Sequence, residues 1–183
     1  FPAARQFSRR TSLATVPITV PTGGRPTPDA AVPMLLARCP QLCSLLLAKH
    51  RHMSANALQA LARSPQARHW LGLDLTSWPA AGLTPQLHTA LWPSLPALET
   101  LYLSHASGVD DATVIAVARA CSGLRRLYLS RQPRLSDASI TAVAASCPQL
   151  RVLNLSRCTI TDASLEALAG GCAALHTLYL SHC

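Results

Sequence analysis

Aromatic residues are scarce. Two Phe, three Trp and three Tyr make up 4% of 183 positions. A surface that stacks bases along a nucleic-acid strand needs more of them. Lysine is nearly absent, with one Lys against fifteen Arg. A GC-rich coding bias gives such an Arg, Ala and Pro excess; selection of Arg for bidentate contacts is the other reading. Acidic residues are few, 8 against 16 basic, for a formal net charge of +8. No run of about 18 uncharged apolar residues occurs, so no transmembrane helix is expected. Nucleophile elbow, phosphate loop, paired carboxylates and Cys-x-x-Cys are all missing. The sequence is therefore not read as an enzyme, and no metal or other cofactor is expected.

What is present is apolar and periodic. Leu (31) and Ala (30) are one third of the chain, and hydrophobic residues are 49%. That is enough for a core and excludes wholesale disorder. The charge is uneven. Nine basic and two acidic residues precede Leu98; seven Arg and six acidic residues follow. Residues 1–31 hold five of the 14 Pro and no acidic residue before Asp29. They read as a flexible Pro/Arg-rich lead or linker, with a transit peptide as an alternative. Residues 32–183 read as one repeat domain.

The repeat is the main signal. Leu42-x-x-Leu45-x-Leu47 recurs from Leu98, Leu124, Leu150 and Leu175. The 56 residues between Leu47 and Leu103 leave room for one more unit, ending near Leu73 or Leu75. In Leu-x-Leu the two Leu point to one face of a strand and the middle residue to the other. A helical half follows each strand. Ser136 and Asp137 open one, with Ile140, Val143 and Ala144 on its apolar face. Thr161, Asp110 and Thr84-Pro85 open others. No unit buries its own apolar side, so stacking must do it. The expected fold is α/β: a solenoid of about six repeats, parallel strands concave and helices convex.

With Cys147-Pro-Gln-Leu150-x-x-Leu153-x-Leu155-Ser-Arg-Cys158-Thr-Ile160-Thr161-Asp162, the chain resembles leucine-rich repeats of the cysteine-containing subclass. The resemblance covers about residues 38–183 and weakens over 76–97, around Trp78 and Trp92. It looks most like the arrays of F-box/LRR proteins, which choose substrates for cullin-RING ubiquitin ligases. It implies a protein-interaction module recruited to the ligase adaptor through an F-box outside this sequence. A free-standing scaffold of the cell-division or ciliary kind is the alternative. The chain stops just after a strand, so a C-terminally truncated array with an exposed apolar edge is expected.

Cys39, Cys121, Cys147 and Cys172 all stand three residues before the first Leu of a strand. Cys158 and Cys183 stand three after the last. The resemblance implies that both places are buried and the thiols free. Small apolar thiols suit such turns, and free thiols go with a reducing compartment, cytoplasmic with nuclear or ciliary variants. Cys43 falls outside the pattern. The sequon at Asn154 lies in a strand and reads as chance.

The concave face is the candidate docking surface for a protein partner. Its middle column is Leu46, Asp74, Tyr102, Tyr128, Asn154 and Tyr179. Beside it run Ser44, Thr100, Arg126, Val152 and Thr177. On the other side run Ser104, Ser130, Ser156 and Ser181, with His105, Arg131, Arg157 and His182 beyond. Asp74, Tyr102, Tyr128, Asn154, Tyr179, Thr100, Arg126, Arg131 and Arg157 are the expected partner-binding residues, Tyr and Arg being enriched at hot spots. The Ser column reads as structural. Nucleic acid is disfavoured, because the one dense basic run, residues 49–52, is short and lacks aromatics. No membrane partner is expected.

Overall fold

The computed structural model describes residues 16–17, 28–48, 54–79 and 83–183. Strand and helix alternate along the chain. The order is β1 (Val16–Pro17), α1 (Pro28–Arg38), β2 (Ser44–Leu46), α2 (Ala55–Arg63), β3 (Gly72–Asp74), α3 (Pro85–Leu91), β4 (Thr100–Tyr102), α4 (Asp111–Ala120), β5 (Arg126–Tyr128), α5 (Asp137–Ser146), β6 (Val152–Asn154), α6 (Asp162–Gly171) and β7 (Thr177–Tyr179). All strands are parallel and pair in sequence order in one open sheet. This is the expected leucine-rich-repeat solenoid.

The register settles the ambiguous unit. Leu45, Leu73, Leu101, Leu127, Leu153 and Leu178 face one another from strand to strand. Leu75 is therefore the last Leu of its unit, and Trp70 takes the place held by Leu42 and Leu98. The inner Leu from 45 to 153 are almost fully buried, whereas Leu178 and Leu180 on β7 are half-buried. Two elements fall in the stretch read as a lead. Helix α1 begins at Pro28, and Val16–Pro17 pairs with Leu45 and Leu46. The rest of that stretch, and the basic run at 49–52, lie outside the described residues.

The helices start where the caps predict. Ser136 and Thr161 accept from the backbone N–H two residues on. Asp110 and Thr113 form a reciprocal capping box. Pro85 is the first residue of α3 after Thr84. Three of the caps are also tied to the unit before them. The Asp111 carboxylate accepts from the N–H (2.8 Å) and hydroxyl (2.6 Å) of Ser136. Asp137 does the same for Thr161, at 2.8 and 2.7 Å, and also takes the Ser164 hydroxyl. Asp29 binds Ser54 in the same way. Helix α6 lies so close to α5 that a Cβ on Gly171 would strike the Ala144 carbonyl.

The thiols are structural. All seven are free. Cys121 Sγ reaches the Leu95 carbonyl at 3.5 Å, and Cys172 Sγ the Cys147 carbonyl at 3.6 Å. Cys158 donates to the Leu129 carbonyl, and Cys183 to that of Leu155, both at 3.1 Å. Burial pushes the Cys121 and Cys147 thiols up to about 12, so both stay protonated and unreactive. The expectation of uniform burial needs correction, since Cys39 is half-buried and Cys183 exposed. Cys183 lies beyond β7, the last strand of the stack. Gln132 occupies the Cys158 place in its own unit. Its amide donates to the carbonyls of Leu103 and Ala106.

Candidate functional site

The sheet presents the middle column as a straight row. Asp74, Tyr102, Tyr128, Asn154 and Tyr179 are direct register partners on β3 to β7. Tyr102 and Tyr128 stack, with ring centroids 4.4 Å apart and planes 10° from parallel. Tyr179 is 47% exposed. Burial pushes the Tyr102 phenol well above its ordinary value; Tyr128 and Asp74 add to the shift and Arg126 opposes it. Burial moves Tyr128 the same way, again against Arg126. Both phenols are thus neutral at physiological pH, beside one guanidinium.

Asp74 and Asn154 carry a backbone duty as well. Asp74 Oδ1 accepts the Thr76 N–H at 2.8 Å, and Asn154 Oδ1 the Ser156 N–H at 3.0 Å. These bonds pin the turn after each strand. Ser104 acts similarly, its hydroxyl accepting the Ser130 N–H at 3.2 Å, which fits the structural reading of the Ser column.

Thr100 is not open on this face, contrary to expectation. It is 2% exposed, a short side chain beside the taller Tyr102 on its own strand and Arg126 on the next. Arg126 is half-buried; Arg131 and Arg157 are exposed.

One feature of the strand exits has no signature in the sequence. Ser77, His105, Arg131, Arg157 and His182 all have φ between 58° and 63°. Glycine takes this left-handed region freely; other L-residues do so at a cost. The compensation is a ladder of backbone bonds. Ser77, His105, Arg131 and Arg157 each donate an N–H to the carbonyl of the Ser one unit later, at 2.8–3.0 Å.

The convex side has a cleft of about 710 Å³ between α3 and α4, bordered by Leu83, His88, Asp110, Thr113 and Arg119. The departure of 76–97 from the repeat pattern was its one sequence signal. Its histidine is already occupied. His88 Nδ1 accepts the Trp92 indole N–H at 3.4 Å. Burial lowers the His88 pKa, opposed by a bond to the Leu83 backbone and by Asp110. Among the described residues no three His, Cys, Asp or Glu side chains group as metal ligands, and no helix is long and apolar enough to cross a membrane.

Comparison with known proteins agrees with this architecture. The family model for the LRR repeats of FBD-associated F-box protein At5g56370 matches residues 89–183, just over half of the chain. No curated protein matches. Among solved structures, an internalin (inlF) from Listeria monocytogenes is similar at 19% identity and TM-score 0.52, over 78% of this chain and 36% of its own. The tropomodulin C-terminal domain from Caenorhabditis elegans is similar at 14% identity and TM-score 0.57, over 79% and 93%. A TLR13–ssRNA13 complex is similar at 24% identity and TM-score 0.49, over 78% of this chain. The chain spans 19% and 36% of the TLR13 and internalin chains.

Proposed function

The chain belongs to the leucine-rich-repeat family of that F-box-associated protein, and from this premise we propose that its concave face selects protein substrates for an SCF-type ubiquitin ligase. The repeats hold the substrate; an F-box elsewhere in the full protein docks the ligase adaptor. The observation that carries the docking reading is the Tyr102–Tyr128 stack beside Arg126, on the open face of a parallel sheet. Two neutral phenols and a guanidinium form the kind of anchor on which partner proteins bury contact area. The family supports the ligase assignment. The reading goes with a reducing compartment, cytoplasmic or nuclear, where free thiols persist.

The test is partner capture from cell extract with the wild-type chain and with a Tyr102→Ser, Tyr128→Ser double variant. Loss of the captured substrate in the variant, with cooperative unfolding retained, is the expected result. Capture that is indifferent to both substitutions removes the concave face as the docking surface. The ligase assignment is read separately, by co-purification of the cullin adaptor with the full-length protein. A full-length protein that captures substrate without adaptor is a free-standing scaffold.

A further inference from the structure

We propose that the concave face grips an acidic segment of its partner protein by one aromatic side chain, held between the rings of Tyr128 and Tyr179 above Asn154. This rests on the concave docking reading and adds what that face selects.

The geometry is a stack with one member missing. Tyr102 and Tyr128, on adjacent strands, stack at 4.4 Å, so one strand step is one ring-to-ring step in this column. Tyr128 and Tyr179 are two strands apart, roughly 9.6 Å at the usual spacing. Asn154 holds the middle place with a side chain too short to reach ring level. One planar ring completes the stack. Two do not fit, because each pair of facing rings needs about 3.5 Å. Asn154 Oδ1 is engaged by the Ser156 N–H, which leaves its amide N–H groups on the slot floor to donate to a phenol or a backbone carbonyl.

The charge around the slot sets the flanking chemistry. Arg126 lies on the same face one strand earlier, and Arg131 and Arg157 border it at the exits of β5 and β6. His105 and His182 extend that border. Among the described residues, the carboxylate in the outward columns is Asp74, on β3, three strands from Asn154. Glu99, at the entry to β4, is paired with Arg125 at 3.6 Å. An arginine guest meets like charge here, whereas carboxylates flanking an aromatic guest are attracted. Arg131 and Arg157 hold the left-handed conformation with exposed side chains. A nucleic-acid strand would need a run of open aromatic faces; here the Tyr102–Tyr128 contact closes two of them.

The probe is a fluorescein-labelled peptide, Asp-Glu-Asp-Tyr-Glu-Asp-Glu, compared with the same peptide carrying Ala or Arg at the centre. The Tyr peptide should bind about tenfold more tightly than the Ala peptide, the order expected of two stacked contacts. Its binding should weaken between about 50 and 200 mM salt. Asn154→Tyr fills the slot with the chain's own ring and should abolish the Tyr preference while unfolding stays cooperative. Arg131→Glu with Arg157→Glu should weaken both the Tyr and Ala peptides and leave their ratio unchanged. Equal binding of Tyr and Ala peptides overturns the slot, as does tighter binding of the Arg peptide or of an oligothymidine of similar length. If no peptide discriminates while substrate capture still depends on Tyr128, the docking reading stands and the slot falls.

Discussion

The solenoid has two halves that fill the same positions with different chemistry. The register leucines Leu45, Leu73 and Leu101 are 28 residues apart; Leu101, Leu127, Leu153 and Leu178 follow at 26, 26 and 25. In the long units, 3₁₀ turns at Ala67–His69 and Trp92–Ser94 take up extra length before the strand. Trp70, Trp78 and Trp92 fill the added space, each no more than 1% exposed. Trp70 and Trp78 bury an indole N–H that finds no partner among the described residues. In the short units small donors sit at the turns and bond the carbonyls of the unit before. The helix ties differ too. Helices α2 and α3 have no acidic residue in their first turn, and the convex cleft opens at α3. One half is filled by bulk, with a polar tie from Asp29 to the Ser54 cap at α2; the other repeats polar contacts from unit to unit.

The largest single loss should come from the bulky half. Trp92→Ala removes a fully buried indole and the donor to His88 Nδ1. It should cost about 3–5 kcal/mol, measured by urea unfolding. A loss below about 1 kcal/mol would mean that the long units collapse freely around the void, and that bulk is not what holds them.

The polar half should respond to donor chemistry. Gln132→Ala leaves the buried Leu103 and Ala106 carbonyls without their side-chain donor, at a cost of about 1–3 kcal/mol. Gln132→Cys should keep more than half of that stability, because Cys158 and Cys183 serve the same carbonyl in later units. Equal losses for Ala and Cys would show that the amide's volume matters, not its hydrogen bonds.

Acid should loosen the polar half. At Asp111 burial pushes the carboxyl up, but the Ser136 hydroxyl and N–H pull harder and hold it below the usual carboxylate range. The Ser164 hydroxyl, then the Thr161 N–H and hydroxyl, lower Asp137. A folded-state value below the unfolded one gives stability that is present above about pH 4. It is lost as pH falls through the folded-state value. Hydrogen exchange between pH 5 and pH 3 should therefore open amides of α5 and α6 before those of α3, whose Thr84 cap makes no side-chain bond. Asp111→Asn should flatten the response at the α4–α5 junction. Simultaneous opening of both halves would remove the distinction.

Much of this was legible in the sequence, for reasons that also mark the limit. The Leu positions and helix caps repeat within one unit, so Leu150, Ser136 and Thr161 declare themselves locally. Trp70 did not, because a tryptophan at a leucine place breaks the pattern by which the place is found. The bonds of Asp111 to Ser136 and of Asp137 to Thr161 join residues 24 or 25 apart, and only the stacking brings them together. At the site, period-two alternation put Tyr102, Tyr128 and Tyr179 on one face. Alternation says nothing of height, so Thr100 was expected to be open and is buried. Nor does sequence mark a positive φ when the residue is Arg or His.

That hidden column supplies the smallest effect and the closest test of the contrast. The left-handed conformation costs an L-residue about 1–2 kcal/mol. Arg157→Gly removes that cost but makes the unfolded chain freer by roughly 0.5–1 kcal/mol. The net expectation is a gain of about 0.5–1 kcal/mol in urea unfolding. Ser77→Gly, at the same φ in the bulky half, should gain about as much. The two should part in substrate capture, which Arg157→Gly weakens and Ser77→Gly leaves alone. A stability gain at Arg157 with capture unchanged would mean that the backbone ladder alone keeps the conformation. A stability loss would mean that the Arg157 side chain supports the fold. Neither outcome fits a strained residue retained for its exposed guanidinium.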